Sequence, residues 1–179
     1  MALTLITTNT HTSDSDTVSS FTSGISSTYK LYIFKLYDIN PATDEVKLQV
    51  NFSIDGGSNY NVAKTTTNFR SEHAEDGSVT QLVYRTGEDL AQGTGVQEIT
   101  STIGNGGNES AAGILYLFDP SNTTYMKQFY STLNNYEASN YIQNVFVGGY
   151  INSTSAVNAA QFSMSSRNFD GTIKMYGVK

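Results

Sequence analysis

The stretch Val46-Lys47-Leu48-Gln49-Val50-Asn51-Phe52-Ser53-Ile54-Asp55-Gly56-Gly57-Ser58 decides the fold. Val46, Leu48, Val50, Phe52 and Ile54 alternate with Lys47, Gln49, Asn51, Ser53 and Asp55. A strand turns successive side chains to opposite faces, so this alternation predicts one face in a core and the other in solvent. Asp55-Gly56-Gly57-Ser58 follows at once. Two adjacent glycines permit positive φ, which predicts a tight hairpin with a return strand starting within residues 60–64. A carboxylate beside glycines also raises a calcium loop. The alternating Asp-x-Asp-x-Asp-Gly ligand pattern is absent, however, and no metal site is expected.

The same period extends in both directions. Upstream, residues 29–39 place Tyr29, Leu31, Ile33, Lys35 and Tyr37 on one face and Tyr32, Phe34 and Leu36 on the other. Both faces are apolar in the middle, as in a strand covered on both sides. Asn40-Pro41-Ala42-Thr43-Asp44 then supplies turn chemistry. Further strands are expected at residues 3–8, 17–22, 78–85, 96–103, 113–118, 124–133, 142–152, 159–165 and 171–178. Met126, Phe129, Tyr130 and Leu133 also fit a helical stripe, but the flanking Thr, Tyr and Asn favour a strand. The one helical piece expected is a turn or two at residues 87–92. About ten short strands separated by Gly, Asn, Ser and Asp predict an all-β fold, a single-domain antiparallel β-sandwich, jelly-roll-like, spanning residues 1–179. Residues 1–20 are expected to form a first strand or an extended N-terminal arm.

Composition narrows the function. Roughly a quarter of the 179 residues are Ser or Thr, 12 are Tyr, and only 15% are charged, below the ~25% usual for soluble domains. There is no cysteine, hence no disulfide framework and no thiolate ligand or nucleophile. The net charge of -6, with the Lys and Arg scattered, opposes binding to nucleic acid or anionic membranes. Residues 1–8 show neither a basic stretch nor a sustained apolar one, so a secretory signal is not expected, and no run approaches the ~20 apolar residues of a membrane span.

Catalytic readings are weak. His11 and His73, the only histidines, lie in polar stretches, and no Gly-x-Ser-x-Gly elbow accompanies them. The carboxylates Asp14, Asp16, Asp38, Asp44, Asp55, Asp119 and Asp170 sit in turn-like contexts, where Asp is expected without a function. No enzyme and no cofactor are predicted. The glycine-rich segment holding Asn105, Asn108 and Glu109 lacks the Gly-Lys-Ser/Thr of a phosphate loop and reads as a loop suited to surface contacts. Four Asn-x-Ser/Thr sequons, beginning at Asn51, Asn108, Asn122 and Asn152, match chance at this composition. Tyr125, Tyr130, Tyr136 and Tyr141 cluster within one segment. Tyr with Asn, Ser and Gly combines rigid aromatic area with adaptable hydrogen bonding, which marks candidates for a protein or saccharide interface.

Residues 21–60, FTSGISSTYKLYIFKLYDINPATDEVKLQVNFSIDGGSNY, and 169–179, FDGTIKMYGVK, resemble small virion structural proteins of tailed bacteriophages, especially marine ones. The middle, AAGILYLFDPSNTTYMKQFY at 111–130, is similar too. The resemblance covers most of the chain from Ser19 onward, and its motifs mark strands and turns. It implies a virion protein made in the host bacterial cytoplasm, whose partners are other virion proteins, major capsid or tail proteins. A capsid decoration or cement role in a symmetric homo-oligomer such as a trimer is the leading expectation. A tail-associated adhesin or fibre-tip module binding host glycans is the alternative.

Overall fold

The structure, a computed structural model, describes residues 2–12 and 18–179, and among these there is no helix. Twelve strands follow in chain order: β1 (Leu3–His11), β2 (Val18–Phe21), β3 (Leu31–Pro41), β4 (Leu48–Ser53), β5 (Lys64–Ala74) and β6 (Thr80–Tyr84). Then come β7 (Gln97–Glu98), β8 (Ala111–Phe118), β9 (Lys127–Glu137), β10 (Tyr141–Ile151), β11 (Ala159–Met164) and β12 (Phe169–Val178). They form an antiparallel eight-stranded sheet in the order β1-β12-β3-β8-β9-β10-β5-β6 and a four-stranded sheet in the order β2-β11-β4-β7. The fold is therefore an all-β sandwich with two strands more than expected, and this order does not establish a jelly roll. Residues 13–17, with Asp14 and Asp16 and the middle of the expected arm, lie outside the described residues, while 3–11 and 18–21 are strands.

Alternation builds the core. Tyr32, Phe34 and Leu36 of β3, Leu115 and Leu117 of β8, Phe129 and Leu133 of β9, and Ile173 and Met175 of β12 face inward. There they meet Leu48, Val50 and Phe52 of β4 and Phe162 of β11. Phe34 and Phe162 sit 5.3 Å apart, and Phe52 and Phe129 5.1 Å, so aromatic contacts join the two sheets. The ambiguous segment settles as a strand. Phe129 and Leu133 are buried while Tyr130 is exposed, which a helical stripe would not allow.

The opening stretch needs a correction. Gly56 and Gly57 do take positive φ, 74° and 89°, yet no hairpin forms. β4 pairs with β11 and β7 in the small sheet, and β5 pairs with β10 and β6 in the large one. Residues 54–63 therefore cross between sheets. Asp55 holds the crossing together, accepting from Ser53 Oγ at 2.6 Å and from Asn59 N at 2.9 Å and Nδ2 at 2.7 Å. These bonds, Ser53's first, lower the Asp55 carboxyl to about 2. The polar face of β4 is not solvent either, because Asn51 and Ser53 are buried beneath the crossing.

Other expectations change as well. Residues 86–88 form a turn, not a helix. Only Gln97 and Glu98 of the stretch 96–103 are strand. Strand β3 is covered on one face only, since Tyr37 is exposed and Leu31, Ile33 and Lys35 are half-buried. His11 is buried against Phe169, ring centroids 4.8 Å apart, while His73 is an exposed strand residue.

Candidate functional site: the outer face of the large sheet

Ten of the fifteen exposed large apolar side chains among the described residues stand on one surface, the outer face of the eight-stranded sheet. The cause is local. β3 and β8 largely alternate apolar residues with other apolar residues, and β9 and β10 add Tyr130, Ile142 and Phe146 among outward Gln128, Thr132, Asn134 and Asn144, so the middle of the face turned away from the core is aromatic where a solvated sheet would carry polar groups.

Register converts that pattern into rows. One row crosses the sheet as Leu5, Tyr176, Ile33, Tyr116, Tyr130 and Gly148. The next runs Lys174, Lys35, Ile114, Thr132, Phe146, Phe69 and Tyr84. Tyr116 and Tyr130 stack at 4.7 Å, Phe118 and Tyr130 at 5.9 Å, and Phe69 and Phe146 at 5.1 Å. Lys35 lies over the Tyr176 ring at 5.3 Å and Lys174 over Tyr37 at 5.5 Å. The two lysines are direct cross-strand partners, an unfavourable like-charge pairing, and neither forms an ion pair with a carboxylate of the described residues. A carboxylate on an incoming surface would relieve that repulsion.

The expected site residues divide between this face and other places. Tyr130 sits in the stacked cluster. Tyr136 lies at the far end of the same face, its hydroxyl donating toward Glu75 Oε1 and Asn140 Oδ1, both at 2.9 Å. The Glu75 carboxylate raises its hydroxyl pKa. Tyr125, 70% exposed, stands on the loop before β9, at the opposite end of the sheet. Tyr141 faces the other way, on the core side. Asn105 and Asn108 are exposed in the glycine-rich loop, but Glu109 is turned inward, accepting from Gly106 N at 2.6 Å. Asn40 Nδ2 ties that loop down through Gly106 O at 3.0 Å and Glu109 O at 2.5 Å. The loop is braced rather than free.

Sequence reasoning missed Phe69, Tyr84, Tyr116, Phe146, Tyr176 and both lysines as one surface. Alternation within β8 and β10 signals the outward Tyr116 and Phe146. Nothing local signals that β5 brings Phe69 beside Phe146. Among the described residues no group of three or more His, Asp or Glu is placed to hold a metal ion. Comparisons with protein-family models, with curated proteins and with solved structures return no match for this chain.

Proposed function

We propose that the protein is a non-enzymatic structural component of a tailed-phage virion, a head decoration or cement protein that seats the outer face of its large sheet across neighbouring capsid subunits. The observation that supports this most is the uncovered aromatic face. Contiguous exposed apolar area beyond a few hundred Å² marks an interaction surface, and Tyr is a favoured anchor of interfaces. Lys35 and Lys174 within it favour a partner surface carrying carboxylates. Repetition on a particle multiplies such contacts, since avidity raises effective affinity by ~10²–10⁴ without new chemistry. A symmetric oligomer such as a trimer suits that setting.

Mass spectrometry of separated heads and tails tests the placement. The chain is expected in heads, and its detection in tails alone would overturn the decoration role. Variants Tyr116→Ala and Lys35→Glu, added back to particles stripped of the protein, should rebind more weakly than the wild type. A second reading, adhesion to host glycans, is favoured by the position of Tyr141 beside a polar cavity.

A further inference from the structure

The core-facing side of the large sheet does not stay apolar. Along β5, β9 and β10 the inward residues pass from Phe129, Val145 and Val147 to Arg70, Glu72, Asn135, Glu137 and Gln143, and there the loop 99–103, bonded to Arg70 and Asn135, lies against the sheet in place of a strand of the small sheet. What remains is a cavity of about 370 Å³, lined by Arg70, Glu72, Gln81, Glu137, Tyr141 and Gln143 among others. That is near the small end of the range for ligand pockets, room for one ring and not a chain. A second cavity of about 200 Å³ shares Ser139 and Tyr141 with the first and adds Glu75, Asp76 and Asn140. Tyr141 stands between the two.

The wall is fixed before any ligand arrives. Arg70 Nε pairs with Glu72 Oε2 at 2.8 Å, Gln143 Nε2 donates to the same oxygen at 3.1 Å, and Gln81 donates to Oε1. Asn135 Nδ2 donates to Gln143 Oε1 at 3.0 Å and to Thr102 O at 2.8 Å, and Arg70 also donates to Ser101 Oγ. Glu137 is oriented by Ser139 N–H at 2.8 Å, which occupies one of its oxygens. Glu72 and the two amides spend their groups on one another, which leaves the second Glu137 oxygen as an acceptor and the Arg70 N–H groups beyond those on Glu72 and Ser101 as donors, a complement to adjacent ring hydroxyls that both donate and accept. A half-buried tyrosine ring beside them offers a flat apolar face to ring C–H groups.

Charge narrows the ligand. The larger cavity sets the single guanidinium of Arg70 against the carboxylates of Glu72 and Glu137, and the smaller is lined by Glu75 and Asp76 with no basic residue, so phosphates and acidic sugars are disfavoured. The polar lining disfavours a flat apolar ligand. We propose that the two cavities form a saccharide site, taking one neutral or amino hexose ring in the larger and a second across Tyr141 in the smaller. The site lies on the opposite side of the sheet from the docking face and does not rest on the capsid reading.

Titration of the uniformly ¹⁵N-labelled full chain with lactose, maltose, N,N′-diacetylchitobiose and chitosan disaccharide, each to 20 mM, tests it, with 3′-sialyllactose as the acidic control. The expected result is saturable shifts at Glu72, Gln81, residues 137–141 and Gln143 for at least one neutral or amino disaccharide, with at least tenfold weaker response to the acidic one. Tyr141→Ala should abolish the response while the rest of the spectrum reports an intact fold. Because Tyr141 is absent from the outer face, particle rebinding by this variant should match the wild type. The proposal is overturned by no saturable shift across the panel, by shifts clustered at Tyr116 and Tyr130 instead, or by an unchanged response in the Tyr141→Ala variant.

Discussion

Lys64 opens β5 with its side chain fully buried between the sheets, and its Nζ donates to Asn51 Oδ1 at 2.6 Å and Val62 O at 2.9 Å. No carboxylate of the described residues pairs with it, and burial pushes its ammonium from 10.5 down to about 8. That fall corresponds to on the order of 3 kcal/mol of instability whenever the group is charged in both states. Between pH 8 and 10.5 the unfolded chain binds the proton and the folded one does not, so stability rises with pH across that window. From pH 7 to 9.5 the rise is about 2 kcal/mol. With a urea slope of ~2 kcal/mol per molar, the midpoint should move up by about 1 M. Lys64→Met removes the charge but leaves Val62 O without its donor, a loss of ~1–3 kcal/mol. The variant should therefore be about equal to or up to ~2 kcal/mol more stable than the wild type at pH 7, and its advantage should shrink by about 2 kcal/mol by pH 9.5. Comparing the two proteins at each pH cancels every other group that titrates there. Urea midpoints that run parallel from pH 7 to 9.5 would refute the reasoning.

Gly171 has φ of 136°, and a Cβ there would meet Ile39 Cδ1 at 2.7 Å and Asp38 O at 2.9 Å, so Gly171→Ala should cost about 2–3 kcal/mol and lower Tm by roughly 5 °C or more. Gly113→Ala should destabilise strongly, its Cβ running into the Thr132 carbonyl oxygen and the Leu133 backbone, whereas Gly107→Ala, with nothing within 4 Å, should leave thermal melting unchanged. Glu88 accepts from Arg85 and Lys47, at 2.8 and 2.9 Å. Burial opposes the charge, yet these partners hold its carboxyl below 4.5, so its stabilisation is present above that value and lost as pH falls through the lower folded one. Glu88→Gln should lower the urea midpoint at pH 7 by an amount equivalent to about 1–2 kcal/mol, and the difference should shrink as pH falls below 4.5. Tyr116→Ala and Tyr130→Ala should each cost under about 1.5 kcal/mol in unfolding, since their stacked rings stay partly in solvent, while weakening particle rebinding by tenfold or more.

The strands that were legible share one property. In 46–52 and 159–165 the inward residues are apolar and the residues between them largely polar, so the alternation announces the strand, although Asn51 is buried as well and Ile54, next in the pattern, is exposed. β5 was not legible as a strand beyond its first residue. Its inward positions are Lys64, Thr66, Asn68, Arg70 and Glu72, and its outward ones include Phe69, so the usual hydrophobic sense is reversed. That reversal is tolerable because the inward groups bond to one another and to strand β7 of the facing sheet: Thr66 to Gln97 Oε1 at 2.6 Å, Asn68 to Glu98 O at 3.3 Å and Arg70 to Glu72. The same strand supplies both Phe69 to the outer face and Arg70 and Glu72 to the cavity.

Sequence alone determined the class: strand periodicity, turn residues and the absence of a sustained helical stripe specify an antiparallel β protein, because a side-chain period of two is a local property of the chain. It also determined that Gly56 and Gly57 bend the backbone through positive φ. Which strand β4 pairs with was decided only by the tertiary structure. Positive φ reverses a chain equally well within a sheet or between sheets, and the choice depends on which distant strand, β11 or β5, can bury Leu48, Val50 and Phe52. Tertiary packing likewise decided the surfaces. Tyr116, Tyr130, Phe146 and Phe69 come from four strands of different sequence distance, and only sheet register sets them side by side.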